Sequence, residues 1–318
     1  MTAAYIICKL KPENITDHIP DYVSILKRPD QLTQKHKYPG SPNNLHPVTK
    51  VKDTGSRRYN YTVCVRPLYN VNGMKTIGEF VEVNRLFGAD HFVFYNLSAS
   101  FTSSDSYLEY YVNKSILSIY QWNMPKDILG AIHSEGQLAA INDCVYKNMF
   151  ISKYVVIIDL DELIVPMKTA SWSELTWNVD RQKSKCYIFQ CVFFRTAWPS
   201  DTTFLNNSIV KQYNIQTLLK THREREIWPH MSRSKMILAP EYVNVSGIHF
   251  VHSFSTLGIS AKHVPASDAM MFHYRKNLGK PNDPLQLKET RMHDFAEDVM
   301  KRIKRVHRDV KTGDVMEK

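Results

Sequence analysis

The residues whose types and spacing most directly suggest chemistry lie in Val155-Val156-Ile157-Ile158-Asp159-Leu160-Asp161-Glu162-Leu163. Read as an extended segment, two aspartates two residues apart project from the same side of a strand. Carboxylates crowded at the carboxyl end of a buried strand repel one another unless a cation sits between them. Their hard oxygens select Mg²⁺ or Mn²⁺, ions that keep positions open for the oxygens of a diphosphate. Asp159 and Asp161 are therefore candidate metal ligands, with Asp159 also placed against a diphosphate. The bland alternative is that they cap the next turn.

Two chemistries use such a strand end. A phosphohydrolase would employ Asp159 as nucleophile. It would also carry Thr or Ser two residues beyond the second aspartate, where this chain has Leu163. Nucleotide-sugar glycosyl transfer instead uses the acids to hold a metal that neutralises the departing diphosphate. Its acidic strand follows a three-strand nucleotide-binding half, and here the acidic strand is the fourth. The second chemistry fits better.

The elements that must position these acids follow from periodicity. Tyr61–Val65, His91–Tyr95, Ile116–Trp122 and Tyr154–Ile158 read as strands, with helices expected over 77–88, 106–114 and 135–150. Such alternation predicts an α/β fold with a mostly parallel sheet covered by helices on both faces, and a ligand site at the carboxyl ends of its strands. Beyond Pro166 shorter strands are expected, including one continuous run from Cys186 to Arg195, and residues 285–311 read as helix. Residues 1–58, rich in Pro, Lys, Asn and His, read as an irregular lead-in or stem. The expected division is 59–166 as nucleotide-binding half, 167–275 as acceptor half, and 276–318 as a helical C-terminal extension.

Composition narrows the partners. The chain has 318 residues and a formal charge of +10, but residues 301–318 alone hold seven Lys/Arg against three acids. The remaining basicity is dispersed and lacks a basic–aromatic motif, which argues against nucleic acid and suits anionic substrates such as sugar nucleotides. Five cysteines without CxxC spacing argue against a zinc site. Six sequons, at Asn14, Asn60, Asn96, Asn113, Asn206 and Asn244, favour the secretory pathway. The first thirty residues show no signal peptide or anchor, so either the protein is soluble as it stands or a membrane-anchoring start is absent from this chain.

In order along the chain stand Cys64-Val-Arg-Pro-Leu-Tyr69, Gly78-Glu-Phe-Val-Glu-Val-Asn84, Phe87-Gly-Ala-Asp-His-Phe-Val-Phe-Tyr95 and Trp122-Asn-Met-Pro125. Gly136-Gln137 with Asn142-Asp-Cys144, Asp159-Leu-Asp-Glu162, Ser171-Trp-Ser-Glu-Leu175 and His273-Tyr-Arg275 complete the series. Together they resemble glycosyltransferase family 92. The resemblance implies a GT-A type, Rossmann-like fold and a Mn²⁺-dependent inverting transferase, with Mg²⁺ as an alternative ion. It also implies UDP-galactose as donor, a glycan acceptor, and a Golgi protein anchored in the membrane. It places Asp159, Asp161 and His273 at the metal, with His252 as the competing histidine. Arg66, Tyr95, Asp143, Asp159 and Arg275 fall around the nucleotide-sugar. The general base would come from Asp201, Glu224 or Glu226. Pairing of Cys64 with Cys144 is an open option, and Trp172 and Trp177 are expected in the core. A glycan on Asn96 would crowd the nucleotide pocket. The non-enzymatic alternative is a glycan-binding protein with a silent transferase fold.

Overall fold

The computed structural model describes residues 21–23, 45–48, 53–68, 74–97, 106–125, 130–180, 184–275 and 286–313. Most of the expected lead-in, with Cys8 and the Asn14 sequon, lies outside the described residues. Within it, Tyr22–Val23 (β1) and His46–Pro47 (β2) pair antiparallel.

The first half alternates as its periodicity requires: β3 (Tyr59–Leu68), α1 (Met74–Phe87), β4 (His91–Asn96), α2 (Ser106–Asn113), β5 (Leu117–Gln121), α3 (Gln137–Lys147) and β6 (Ser152–Ile157). Then follow β7 (Glu162–Pro166), α4 (Trp172–Val179), β8 (Cys186–Phe189), β9 (Cys191–Arg195), α5 (Ser208–Tyr213), α6 (Gln216–Leu219), β10 (His222–Glu224) and β11 (Lys235–Leu238). The chain closes with β12 (Val243–Ser246), β13 (Val251–Phe254), β14 (Lys262–His263), β15 (Ala269–Arg275), β16 (Gln286–Lys288) and α7 (Ala296–Thr312).

A seven-stranded sheet runs β14-β8-β11-β6-β3-β4-β5. Strands β6, β3, β4 and β5 are mutually parallel, whereas β11 is antiparallel to both neighbours. This is the mostly parallel α/β sheet that the strand–helix alternation predicts. Its central strands are buried on both faces, which is why β4 is buried along its whole length. The side-chain period of two sends Val63, Val65, Phe92, Phe94 and Val156 to the face covered by α1 and α7. It sends Cys64, Val93, Tyr95, Val155 and Ile157 to the face covered by α3. A Cys64–Cys144 disulfide joins β3 to α3 across that second face.

A second sheet, β16-β10-β9-β15-β7, stands beside the first. The apolar run from Cys186 to Arg195 is not one strand. It changes sheets at Gln190, so β8 belongs to the large sheet and β9 to the small one. Residues 285–311 likewise begin as a strand, β16, which extends the second sheet beside β10, before a 3₁₀ turn leads into α7. Helix α7 packs Val299, Ile303 and Val306 into the main core, and Phe295 meets Phe87 edge-on at 5.2 Å. The expected extension therefore contributes to the same layers as the rest of the fold.

Candidate active site

The acidic cluster forms a turn between β6 and β7, where an extended segment is expected. The Glu162 N–H donates to the Asp159 carbonyl at 3.0 Å, and Glu162 Oε2 accepts the Asp159 N–H at 2.8 Å. The two aspartates take different nearest partners. The Asp159 carboxylate meets Lys235 Nζ at 3.0 Å, Gln137 Nε2 at 3.4 Å and Arg66 Nε at 3.8 Å. Asp161 is about half exposed and points to His273, whose Nε2 lies 3.1 Å from its Oδ2.

Lys235 is the residue that sequence reasoning missed. Only 2% of its side chain is exposed, and it bridges Asp159 and Glu162, with Glu162 Oε2 also 3.0 Å away. Burial alone would lower its pKa, but the two carboxylates outweigh burial and raise it. A lysine opening the fully buried strand Lys235–Leu238 was the available signal, since such a cation must find a buried anion.

His273 reaches the site through register, because β15 pairs antiparallel with β7 and sets His273 opposite Glu162. Its Nδ1 lies 3.4 Å from Glu162 Oε1 while its Nε2 faces Asp161. A neutral imidazole has one N–H, so between two carboxylates one nitrogen is left lone pair to lone pair unless a proton or cation intervenes. Orientation of a ligating histidine by a carboxylate is the usual arrangement around a metal. Neighbouring donors of an octahedral shell with bonds of ~2.1 Å lie roughly 3 Å apart, which matches the Asp161–His273 separation. These two side chains therefore fit a divalent ion. Among the described residues no group of three or more His, Cys, Asp or Glu converges as a metal cage. Burial works against the charge on Asp161, but the His273 hydrogen bond overcomes it and lowers the Asp161 pKa.

Other expected residues divide by location. Arg66 lies two residues before the end of β3, beside Asp159. Tyr95 is buried and donates to Asp143 Oδ2 at 2.6 Å, and Lys147 holds the other Asp143 oxygen at 2.5 Å. Burial, followed by the Asp143 charge, raises the Tyr95 pKa and keeps its phenol a donor. Arg275 is exposed at the end of β15, in register with Arg195. His252 sits exposed on β13 with its ring against Phe250 at 4.6 Å. Trp172 is core, as expected, but Trp177 is exposed.

The base candidates differ in their partners. Asp201 is buried, with Lys288 Nζ at 2.6 Å, Thr221 Oγ1 at 3.2 Å and the Thr203 N–H at 2.8 Å. Burial would raise its pKa, yet Lys288 and Thr203 hold it far below the usual carboxylate range. Glu224, half-buried on β10, accepts from Arg195 Nε at 2.5 Å. Glu226 is exposed. Asn96 is 3% exposed at the end of β4, so in the folded chain it offers no room for a glycan. Asn60, Asn113 and Asn206 are exposed.

Before α3 the chain takes three successive left-handed residues, Ser134, Glu135 and Gly136, at φ of 47°, 52° and 76°. The Trp122 indole donates to the Glu135 carbonyl at 3.0 Å and holds this run, which delivers Gln137 to Asp159. Two non-glycine residues in that region are costly and cluster at functional sites.

The profile of glycosyltransferase family 92 matches residues 59–311. The beta-1,4-galactosyltransferase galt-1 of Caenorhabditis elegans is 32% identical over 222 residues, which are 68% of this chain and 48% of that protein. The chain thus spans about half the length of the curated relative it matches. HddC from Yersinia pseudotuberculosis is similar with a TM-score of 0.36 and 13% identity, covering 78% of this chain and 99% of that one. S. aureus TarS 1-349 has a TM-score of 0.33 and 13% identity, covering 68% and 60%. At these scores the structural likenesses are remote.

Proposed function

Because the chain belongs to glycosyltransferase family 92, we propose that it transfers a hexose, galactose by preference, from a UDP-sugar to a hydroxyl of a glycan, with inversion. The observation that carries this reading is the Asp161–His273 pair, 3.1 Å apart at the carboxyl end of the central sheet. A galactosyltransferase as relative supports the choice of sugar.

Asp161 and His273 would hold Mn²⁺, or Mg²⁺ in its place, and the ion when bound neutralises the departing diphosphate. Asp159, tied to Lys235, would stand beside the nucleotide-sugar diphosphate. Arg66 and Arg275 supply guanidinium groups suited to phosphate oxygens. Tyr95 and Asp143 border the uridine side of this nucleotide-sugar site. Inversion needs a base opposite the leaving group. Glu224 suits that role better than Asp201, whose oxygens are committed to Lys288, Thr221 and Thr203. As the acceptor oxygen bonds to the anomeric carbon, its proton passes to the base and UDP leaves with the bonding pair. Catalysis here is positioning and charge compensation.

A secretory-lumen setting, the Golgi by family resemblance, is part of the same proposal. The Cys64–Cys144 disulfide and three exposed sequon asparagines support it. Among the described residues no helix is long and apolar enough to cross a membrane.

UDP release from a panel of UDP-sugars, with Mn²⁺ and with chelator, tests the reading. Asp161→Asn is expected to lower release from the preferred donor by at least a hundredfold with folding unchanged. Undiminished release from that variant would overturn the assignment.

A further inference from the structure

Helix α7 buries one face and turns the densest run of cations in the chain outward. Residues 301–311 hold Lys301, Arg302, Lys304, Arg305, Arg308 and Lys311 against the single acid Asp309. Ile303, Val306 and His307 form the buried side. At 3.6 residues per turn, Lys301, Lys304, Arg305, Arg308 and Lys311 fall within an arc of roughly 120° opposite that side. All five are exposed, and the stripe they make is about 15 Å long. The neighbouring helix α5, joined to α7 by the Tyr213–His307 stack at 4.0 Å, adds the exposed Lys211.

Folding does not account for this stripe. A helix gains from opposite charges three or four residues apart and loses from like ones. Here Lys301–Lys304, Lys301–Arg305, Lys304–Arg308, Arg305–Arg308 and Arg308–Lys311 are all like-charged neighbours. The helix dipole favours Lys311 in the last turn but not the cations in the middle of the helix. Nor do nearby acids consume the charge. Buried Glu82 on α1 lies 3.5 Å from Arg302 and 4.0 Å from Arg305, but it already holds Arg85 at 2.9 Å. Arg308 pairs with Asp309 on its own helix and keeps 68% of its side chain exposed. Among the described residues Lys301, Lys304 and Lys311 pair with no carboxylate, Glu297 and Asp298 of the first turn included.

A basic run of this density matches a polyanion, and the structure separates three kinds. A helix that lies on a membrane needs a free apolar face for the headgroup boundary. Val299, Ile303 and Val306 are committed to the core instead, and no large apolar side chain of α7 is exposed. Nucleic acid fits poorly with the Cys64–Cys144 disulfide, which belongs in an oxidising compartment outside the cytosol. The linear polyanions of such compartments are glycans bearing sulfate or carboxylate groups.

We propose that the outer face of α7 is an exosite for a linear polyanionic glycan, whose anionic groups engage Lys301, Lys304, Arg305, Arg308 and Lys311. The helix packs on α1, α2 and α5 and does not line the acidic turn, so this contact tethers the protein while leaving the turn open. It is a second binding surface that glycosyl transfer itself does not need.

Isothermal titration of the full chain with heparin, a sulfated linear glycan, at about 0.15 M salt tests it. No donor or turnover is involved, so the result stands even if UDP release fails. Replacing Lys301, Lys304 and Lys311 together by Gln breaks no ion pair among the described residues, so the melting temperature is expected to hold. Heparin affinity is expected to fall about tenfold, with a shallower dependence on salt, and UDP release to stay at the wild-type rate. A control of equal net charge, with Lys153, Lys168 and Lys262 replaced by Gln on other surfaces, is expected to bind within about twofold of wild type. Equal losses in the two triple variants would show attraction to overall charge only and overturn the site, as would absence of heparin binding in the wild type. Binding of phosphatidylserine vesicles through the same three lysines, without competition by heparin, would overturn the glycan in favour of a membrane.

Discussion

At the scale of single residues, Lys235 decides how the acidic turn is tolerated. Asp159 and Glu162 are brought within 3.0 Å of one buried ammonium, and Glu162 in turn faces His273. Removing the cation leaves carboxylates in a dry site without compensation, a loss of about 3–5 kcal/mol. Lys235→Met should therefore lower the urea-unfolding free energy by that amount. Adding Glu162→Gln should recover part of it, which a double-mutant cycle would read as coupling. Asp201 makes a pH-dependent prediction. Its carboxyl is depressed in the folded state, so its contribution is complete above the unfolded value of about 3.9 and is lost as pH falls below that toward the folded value. Asp201→Asn should cost about 1–2 kcal/mol at pH 7, a modest figure because Lys288 is half exposed. The gap between variant and wild type should close below pH 4. Asp159, Asp161 and Asp201 are all conspicuous in the sequence, but their different partners are not.

Among elements, the junctions matter more than the elements themselves. The β3–α3 junction is closed by Cys64–Cys144 across a separation of 80 residues. Loop-closure entropy puts such a crosslink at about 4 kcal/mol. Cys64→Ala with Cys144→Ala should lower the unfolding free energy by roughly that much, and reductant should then have no further effect on the variant. The strands and helices of the first half are readable because a parallel strand covered on both faces must be apolar throughout, and a helix on a sheet must be apolar on one stripe. Where two sheets share one apolar run, as at Gln190, periodicity carries no mark of the switch. Nor does it separate a short edge strand such as β16 from the helix that follows it.

For the whole molecule, α7 ties the chain's end to its first helix, and the main core runs through both. Ile303 is 2% exposed in that seam, so Ile303→Ala should cost about 2–5 kcal/mol by thermal or denaturant unfolding. Transfer activity per folded molecule should be unchanged, since α7 does not line the acidic turn. The sequence by itself determined the layer architecture, the acidic strand end and the family, because burial and backbone pairing impose periodic patterns that survive in one dimension. Ordered motifs pointed to His273, though nothing in its spacing from Asp161 could place it. Only the tertiary structure set the β7–β15 register that brings the two within 3.1 Å. The same holds for Lys235 beneath the turn and Asn96 beyond reach of a glycan. Each of these depends on pairing between segments far apart in the chain, which local periodicity does not encode.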